Sequence, residues 1–284
     1  AAIKLARKYF YRRQEGHKNH IIVFKESFHG RTLATVTATG QSKYHEGFAP
    51  LPEGFVYAEY NNLDSVKKMV NKNTCAIMLE PVQGEGGIHP ADMDFLRGLR
   101  ELCNKEELLL IFDEVQCGMG RTGKFFAFQS YGIKPDIVTM AKSLGGGIPI
   151  GAMLATDEAA GGFAPGDHAS TFGGNPLATA AACKVIDLIS DPAFLKQVEE
   201  SGRYLEESLS QITDDRIVGI RGRGLMVGME FNIDVKELIG LCMDQGLLLL
   251  NAGPRVLRFV PPLNISKTEI NQGVAILKEA LKEL

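Results

Sequence analysis

Along the first part of the chain, short apolar runs alternate with amphipathic stretches. Ile21–Phe24, Cys75–Leu79, Leu108–Phe112, Ile137–Met140 and Ala152–Ala155 read as buried strands. Leu63–Asn71 and Asp92–Glu106 read as helices between them, with Asp92 a candidate cap. Strands that are apolar at nearly every position leave no solvated face, so the pattern predicts a mostly parallel sheet covered on both sides. Asn175-Pro176 starts a further helix that runs to about Ile189, because Asn accepts from unpaired amides and Pro is tolerated in the first turn.

From Pro192 the character changes. A long helix, Pro192–Ile212, precedes Ile217–Phe231, which reads as two strands joined through Arg221-Gly222-Arg223-Gly224. A helix over Val235–Gln245 stops at Gly246. Two more strands, Leu247–Leu250 and Val256–Val260, precede a last helix. That helix opens with a capping box of Ser266 and Glu269, flanked by Ile265 and Ile270 as a hydrophobic staple. The chain therefore divides into a large α/β unit over 1–190 and a smaller α+β unit over 191–284. Ala1–Arg13 reads as a helix with nothing before it to cap it, so the expectation is a chain that begins inside a helix, its N-terminal piece missing.

Charge and cysteines narrow the function classes. The formal net charge is −3, from 31 basic and 34 acidic residues, which is not the electrostatic footprint of a nucleic-acid binder. No apolar run approaches the length of a bilayer span. The five cysteines, an odd number without paired close spacing, form neither a disulfide framework nor a zinc site, and suit a reducing, cytoplasmic compartment. None of the six histidines has metal-ligand spacing.

Two strand ends carry the candidate chemistry. Leu108–Phe112 runs into Asp113-Glu114-Val115-Gln116, and Asp136–Met140 runs into Ala141-Lys142-Ser143, followed by Gly145-Gly146-Gly147. Ligands of open parallel sheets bind at the carboxyl ends of the strands. A nucleotide reading would make Asp113 a magnesium ligand and Gly118–Lys124 a phosphate loop. That loop match fails at Phe125, where Ser or Thr should hold the metal, and no unused strand precedes it. A lone lysine at a strand end is ordinarily a solvated, snorkelling side chain. An acid and a lysine on two separate strand ends are instead the pair that pyridoxal-phosphate (PLP) chemistry needs. The lysine binds the aldehyde, and the acid keeps the pyridine nitrogen protonated.

At this point a family resemblance becomes specific. These two segments resemble the class III (ornithine/acetylornithine-type) PLP aminotransferases. Ser27-Phe28-His29-Gly30-Arg31-Thr32, Glu80-Pro81-Val82-Gln83-Gly84-Glu85, Gly120-Arg121-Thr122-Gly123, Gly166–Pro176 and Leu257–Pro262 match in the same order, over essentially the whole chain. Ser143 and Ala169 stand where glycine is frequent in the family. The resemblance implies the fold-type-I architecture, a large PLP-binding domain with a mostly parallel sheet plus a small C-terminal α+β domain. It makes Lys142 the Schiff-base lysine and Asp113 the pyridinium partner, with Glu114 grouped among the cofactor residues. Val115 and Phe28 sandwich the ring, and Gln116 reaches the phenolic oxygen. Arg31 binds the substrate carboxylate and Ser170 lies beside the substrate. Thr171 reaches the phosphate of a partner subunit in a homodimer, so a dimer-type interface is expected around Ser170 and Thr171. Glu85 and Arg258 form the pair that opens for the second carboxylate of 2-oxoglutarate. The family's remaining phosphate cradle lies upstream of Ala1.

The implied reaction passes the terminal amine of N-acetylornithine to 2-oxoglutarate; ornithine, succinylornithine, succinyldiaminopimelate and 4-aminobutyrate are alternative donors. Outside their motifs, Phe28 and Val115 read as ordinary core, Arg31 and Arg258 as surface arginines, Thr171 as a turn cap and Glu114 as a backbone partner. His29 and His168 read as hydrogen-bonded structural histidines. The rival from another class is a catalytically silent chain of this fold acting as a binding module.

Overall fold

Alternation within the apolar strands decides what each face of the main sheet touches. The structure is a computed structural model that describes residues 1–284. First come α1 (Ala2–Arg12), β1 (His20–Phe24), α2 (Leu33–Ala38), β2 (Phe55–Ala58), α3 (Leu63–Met69) and β3 (Thr74–Leu79). A small hairpin of β4 (Val82–Gln83) and β5 (His89–Pro90) follows. Next are α4 (Met93–Lys105), β6 (Leu109–Asp113), β7 (Ile137–Met140), β8 (Ala152–Ala155), α5 (Asp157–Ala160) and α6 (Pro176–Ile189). Six strands form one sheet in the order β2-β1-β3-β6-β7-β8, parallel throughout except that β8 runs antiparallel to β7.

Ile21, Val23, Ala76, Met78 and Ile111 face the apolar stripe of α1, formed by Ile3, Leu5, Ala6 and Phe10. Their neighbours Ile22, Phe24, Ile77, Leu79, Leu110 and Phe112 face Val66 of α3 and Phe95, Leu96 and Leu99 of α4. Both faces are thus buried over β1, β3, β6 and β7, which is what uninterrupted apolar strands require, whereas β8, expected to be buried, is an edge strand with Leu154 exposed. Burying each such side chain stabilises the fold by about 1.5–3 kcal/mol relative to exposure.

The second part of the chain holds α7 (Pro192–Ser210), β9 (Ile217–Arg223), β10 (Met226–Phe231), α8 (Lys236–Asp244), β11 (Leu250–Asn251), β12 (Val256–Phe259) and α9 (Lys267–Glu283). Its four strands form an antiparallel sheet in the order β11-β12-β10-β9. The capping box of α9 forms, with Glu269 N–H donating to Ser266 Oγ at 3.2 Å and Ser266 N–H to Glu269 Oε2 at 2.8 Å. No helix is long and apolar enough to cross a membrane.

Several local expectations differ from the structure. The strand expected over Leu247–Leu250 shrinks to Leu250–Asn251. Gly246 adopts a left-handed φ of 87°, and Leu247 N–H donates to Cys242 O at 2.8 Å, closing the end of α8. Leu247 and Leu249 therefore pack on the small sheet's core as loop residues. Asp92 precedes α4 without a side-chain capping bond. Neither α2 nor β2 was expected, because α2 is a helix of only six residues and β2 a strand of only four.

The two sheets meet where backbone approaches backbone. A Cβ on Gly202 of α7 would lie 2.4 Å from Gly224 C and 2.5 Å from Gly224 O, in the turn joining β9 to β10. Gly224 in turn lies against the backbone of Arg121 and Thr122. Replacing Gly202 by Ala should gain up to about 1 kcal/mol of helix propensity. The clash with rigid backbone should cost about 1–3 kcal/mol. We expect Gly202→Ala to lower the urea midpoint without changing the slope; an unchanged or raised midpoint would contradict this packing.

Candidate active site

Asp113 is the last residue of β6, and its register partner on β7 is Thr139. The residue is 5% exposed, and its carboxylate is held from three sides. Oδ1 accepts from Val115 N–H at 3.1 Å and from Thr139 Oγ1 at 3.2 Å, while Oδ2 lies 2.8 Å from His29 Nδ1. Burial pulls the His29 pKa down, but the hydrogen bond and charge of Asp113, aided by Glu80, outweigh it and raise the value. His29 therefore faces Asp113 as a donor. A carboxylate has about four lone-pair directions, so three donors leave one for a further partner.

Lys142 follows β7 by two residues, in a left-handed conformation with φ of 47°. That backbone is unusual for a side-chain-bearing residue, and such outliers concentrate at functional sites. Lys142 presents an exposed surface, yet the protein gathered around it disfavours its charged form. Partial desolvation lowers the amine pKa, Arg258 assists, and Glu85, Glu80 and Asp113 oppose.

A second carboxylate organises the roof. Glu80, 4% exposed, accepts from Phe28 N–H at 2.9 Å and from Gly84 N–H at 3.1 Å, and burial pushes its pKa up to about 7. It thereby ties the Phe28 loop to the hairpin that carries Glu85. Phe28 meets Tyr44 edge-on at 5.3 Å, and the exposed Arg31 lays its guanidinium 4.6 Å from the Tyr44 ring centre and 5.4 Å from that of Phe28. Arg258, 8% exposed, pairs with Glu85 at 2.6 Å and also donates to Gly84 O at 3.0 Å and Gln116 Oε1 at 3.1 Å. Gln116 Nε2 donates to Glu85 Oε1 at 3.1 Å. Burial alone would raise the Glu85 pKa, but the Arg258 bond and charge lower it.

Lys142, Asp113, Val115, Gln116, Phe28 and Glu85 thus occupy the carboxyl ends of the main sheet and the loops above them, and Arg258 reaches Glu85 and Gln116 from β12 of the small sheet. Ser170 and Thr171 do not join them within this chain; both are exposed, and neither side chain makes a hydrogen bond. Glu114, grouped with the cofactor residues by resemblance and otherwise read as a backbone partner, is fully buried, and its carboxylate accepts from Ala127 N–H at 2.6 Å and Phe128 N–H at 2.8 Å, which anchors that loop. Burial raises its pKa to about 7 against those two bonds. The Gly118–Lys124 segment that resembles a phosphate loop is a junction, with Arg121 donating to Leu225 O at 3.1 Å and Pro261 O at 2.5 Å. Thr139 was not singled out from sequence. Its signal was a lone hydroxyl in an apolar strand, level with Asp113.

Residues 1–281 match the family model for class III aminotransferases. The chain belongs to this family. An acetylornithine aminotransferase from Caldanaerobacter subterraneus is 48% identical over 286 residues, with 100% of this chain and 72% of the relative covered. A succinylornithine transaminase from Photorhabdus laumondii is also 48% identical, covering 99% of this chain and 71% of the relative. The ornithine aminotransferase structure from Toxoplasma gondii superposes with a TM-score of 0.94 at 30% identity, covering 99% of this chain and 69% of that one. The fold is therefore that of the fold-type-I PLP enzymes, and the family cofactor is PLP.

The donor set fits that cofactor. A buried carboxylate with one open lone pair suits a pyridinium N–H. An unpartnered primary amine just beyond the end of the neighbouring strand suits an aldehyde. If Glu114 is an anchor in this aminotransferase, Glu114→Gln can satisfy only one of the two amides. Leaving the other unpaired should cost about 1–3 kcal/mol of stability. Urea unfolding should show that loss, while a fluorescence titration finds PLP affinity within about twofold of wild type. A large loss of PLP affinity at unchanged stability would return Glu114 to the cofactor group.

Proposed function

We propose that this aminotransferase moves the terminal amine of N-acetylornithine to 2-oxoglutarate, giving N-acetylglutamate semialdehyde and glutamate. The observation that carries the chemistry is the pairing of Asp113 and Lys142 on adjacent strand ends. The relatives named acetylornithine aminotransferase supply the donor. Bound PLP supplies a protonated ring that draws electrons from the substrate carbon bearing the reacting amine. Lys142 would hold the cofactor through its amine. Once free, that amine moves the proton at the substrate carbon. An ordinary lysine, with a pKa near 10.4, is a poor base at neutral pH, and the lowered value at Lys142 corrects this in the needed direction.

Asp113 would accept from the pyridinium, with the His29 imidazole and Thr139 hydroxyl fixing its two oxygens. Phe28 and Val115 would flank the ring, and Gln116 would reach its phenolic oxygen. Arg31 would take a substrate carboxylate with its planar fork, beside Ser170. Arg258 is neutralised by Glu85 in the present structure. Swinging Glu85 away would expose the guanidinium to the second carboxylate of 2-oxoglutarate. Thr171, exposed and unengaged in this chain, fits a role on the cofactor phosphate of a partner subunit, in a homodimer with shared sites. The PLP-binding and C-terminal domains divide near residue 190, and five free cysteines suit the cytoplasm. N-succinylornithine is the second reading, supported by a relative of equal identity.

Lys142→Ala should abolish turnover while the far-ultraviolet circular dichroism stays native; undiminished multiple turnover would overturn the assignment. Asp113→Ala removes the counter-charge of the ring. Breaking a buried ion pair costs about 3–5 kcal/mol, and about 1.36 kcal/mol of that felt in the transition state is tenfold in rate. Steady-state assays should show at least about a hundredfold loss, and near-normal activity would refute the pairing. A kinetic screen of N-acetylornithine, N-succinylornithine and ornithine should give the highest kcat/KM for the first.

A further inference from the structure

One row of the small sheet is bolted onto the hairpin that carries Glu85. Gly228 of β10 is the register partner of Arg221 on β9 and of Arg258 on β12. The three residues therefore form a cross-strand row, arginine, glycine, arginine. Each touches the hairpin connection between β4 and β5. Arg258 takes Gly84 O and Glu85. Arg221 Nε donates to Gly87 O at 2.9 Å and Ile88 O at 3.0 Å, and its other nitrogens meet Glu230 and, at 3.5 Å, His89 Nε2. Gly228 leaves the space for Ile88, because a Cβ there would lie 2.8 Å from Ile88 Cβ.

Ile88 is fully buried and holds a φ of 52°. A β-branched residue at positive φ is a real outlier, and it persists only where its surroundings over-determine it. Here those surroundings are the two carbonyl bonds from Arg221 and the apolar pocket of Val82, Cys117, Met226 and Val256. Glu85 sits three residues before this constrained point, and its only tie across to the small sheet is Arg258.

We propose that Arg221 is a positioning residue for substrate discrimination. By holding Gly87 and Ile88 it presents Glu85 to Arg258, and so keeps Arg258 masked until a dicarboxylate displaces Glu85. This rests on the masking role given to Glu85 and Arg258 above. With the strap gone, Glu85 spends less time on Arg258. The enzyme then accepts glutamate, which needs Arg258 free, more readily relative to the ω-amine donor, which does not.

The test is single-turnover kinetics of the holoenzyme with N-acetylornithine (or the donor preferred in the screen) and, separately, with glutamate. Arg221→Gln should lower the donor-to-glutamate ratio of kcat/KM about tenfold, equivalent to about 1.4 kcal/mol. Arg221→Lys, which keeps the charge beside Glu230 but cannot serve both carbonyls through one fork, should fall between, and carries the test should Arg221→Gln fail to fold. Hydrogen exchange at the amides of 84–88 should quicken in both variants while the main-sheet amides stay protected. In a Glu85→Gln background, Arg221→Gln should leave the ratio unchanged. Equal losses in both half-reactions, or an unchanged ratio in an active enzyme, would overturn the proposal. A wild-type enzyme inactive with every ω-amine would instead defeat the functional reading, and the hydrogen-exchange result would still judge the strap.

Discussion

A buried carboxylate at the end of a parallel strand sets the terms for the rest of the site. Asp113 is almost wholly out of water. A charge in that position is tolerable only if donors surround it. Val115, Thr139 and His29 provide them from the following turn, the neighbouring strand and a distant loop. Parallel pairing of β6 with β7 puts Thr139 level with Asp113 and brings the chain past Lys142 two residues after the strand ends. The lysine and the acid are therefore brought to the same end of the sheet by strand register. The loops above need only supply walls and substrate contacts.

Those walls are themselves held by buried acids. Glu80 joins the Phe28 loop to the Glu85 hairpin, and Glu114 anchors the loop at Ala127 and Phe128. Arginines then fasten the second sheet to the first through backbone carbonyls. Arg121 reaches Leu225 and Pro261, Arg221 reaches Gly87 and Ile88, and Arg258 reaches Gly84. Carbonyl acceptors fix geometry without neutralising the guanidinium. Burial alone accordingly lowers the Arg121 pKa to about 10. Gly202, Gly224 and Gly228 are needed where these contacts bring backbone or bulky side chains too close for a Cβ.

The inner strands of the main sheet were legible because burial on both faces leaves a continuous apolar run, and the runs of β6 and β7 lead into Asp113 and Lys142. The Asp113 and Lys142 segments could be read locally for that reason. The His29–Asp113 contact spans 84 positions and the Arg221–Gly87 contact 134, so no local pattern encodes either of them. Glu114 kept two readings because adjacent carboxylates at a strand end look alike in sequence; the structure turns Asp113 toward His29 and Thr139 and engages Glu114 with the amides of Ala127 and Phe128. Leu247–Leu249 misled because their apolar character serves packing, while the amide of Leu247 closes a helix.

The central claim is that Lys142 is the amine that takes the cofactor. Borohydride reduction of the PLP-loaded enzyme, followed by proteolysis and mass spectrometry, tests it most directly. The account predicts that the pyridoxyl phosphate mass is found on the peptide containing Lys142. The label on any other lysine, or on none in an active enzyme, would contradict it.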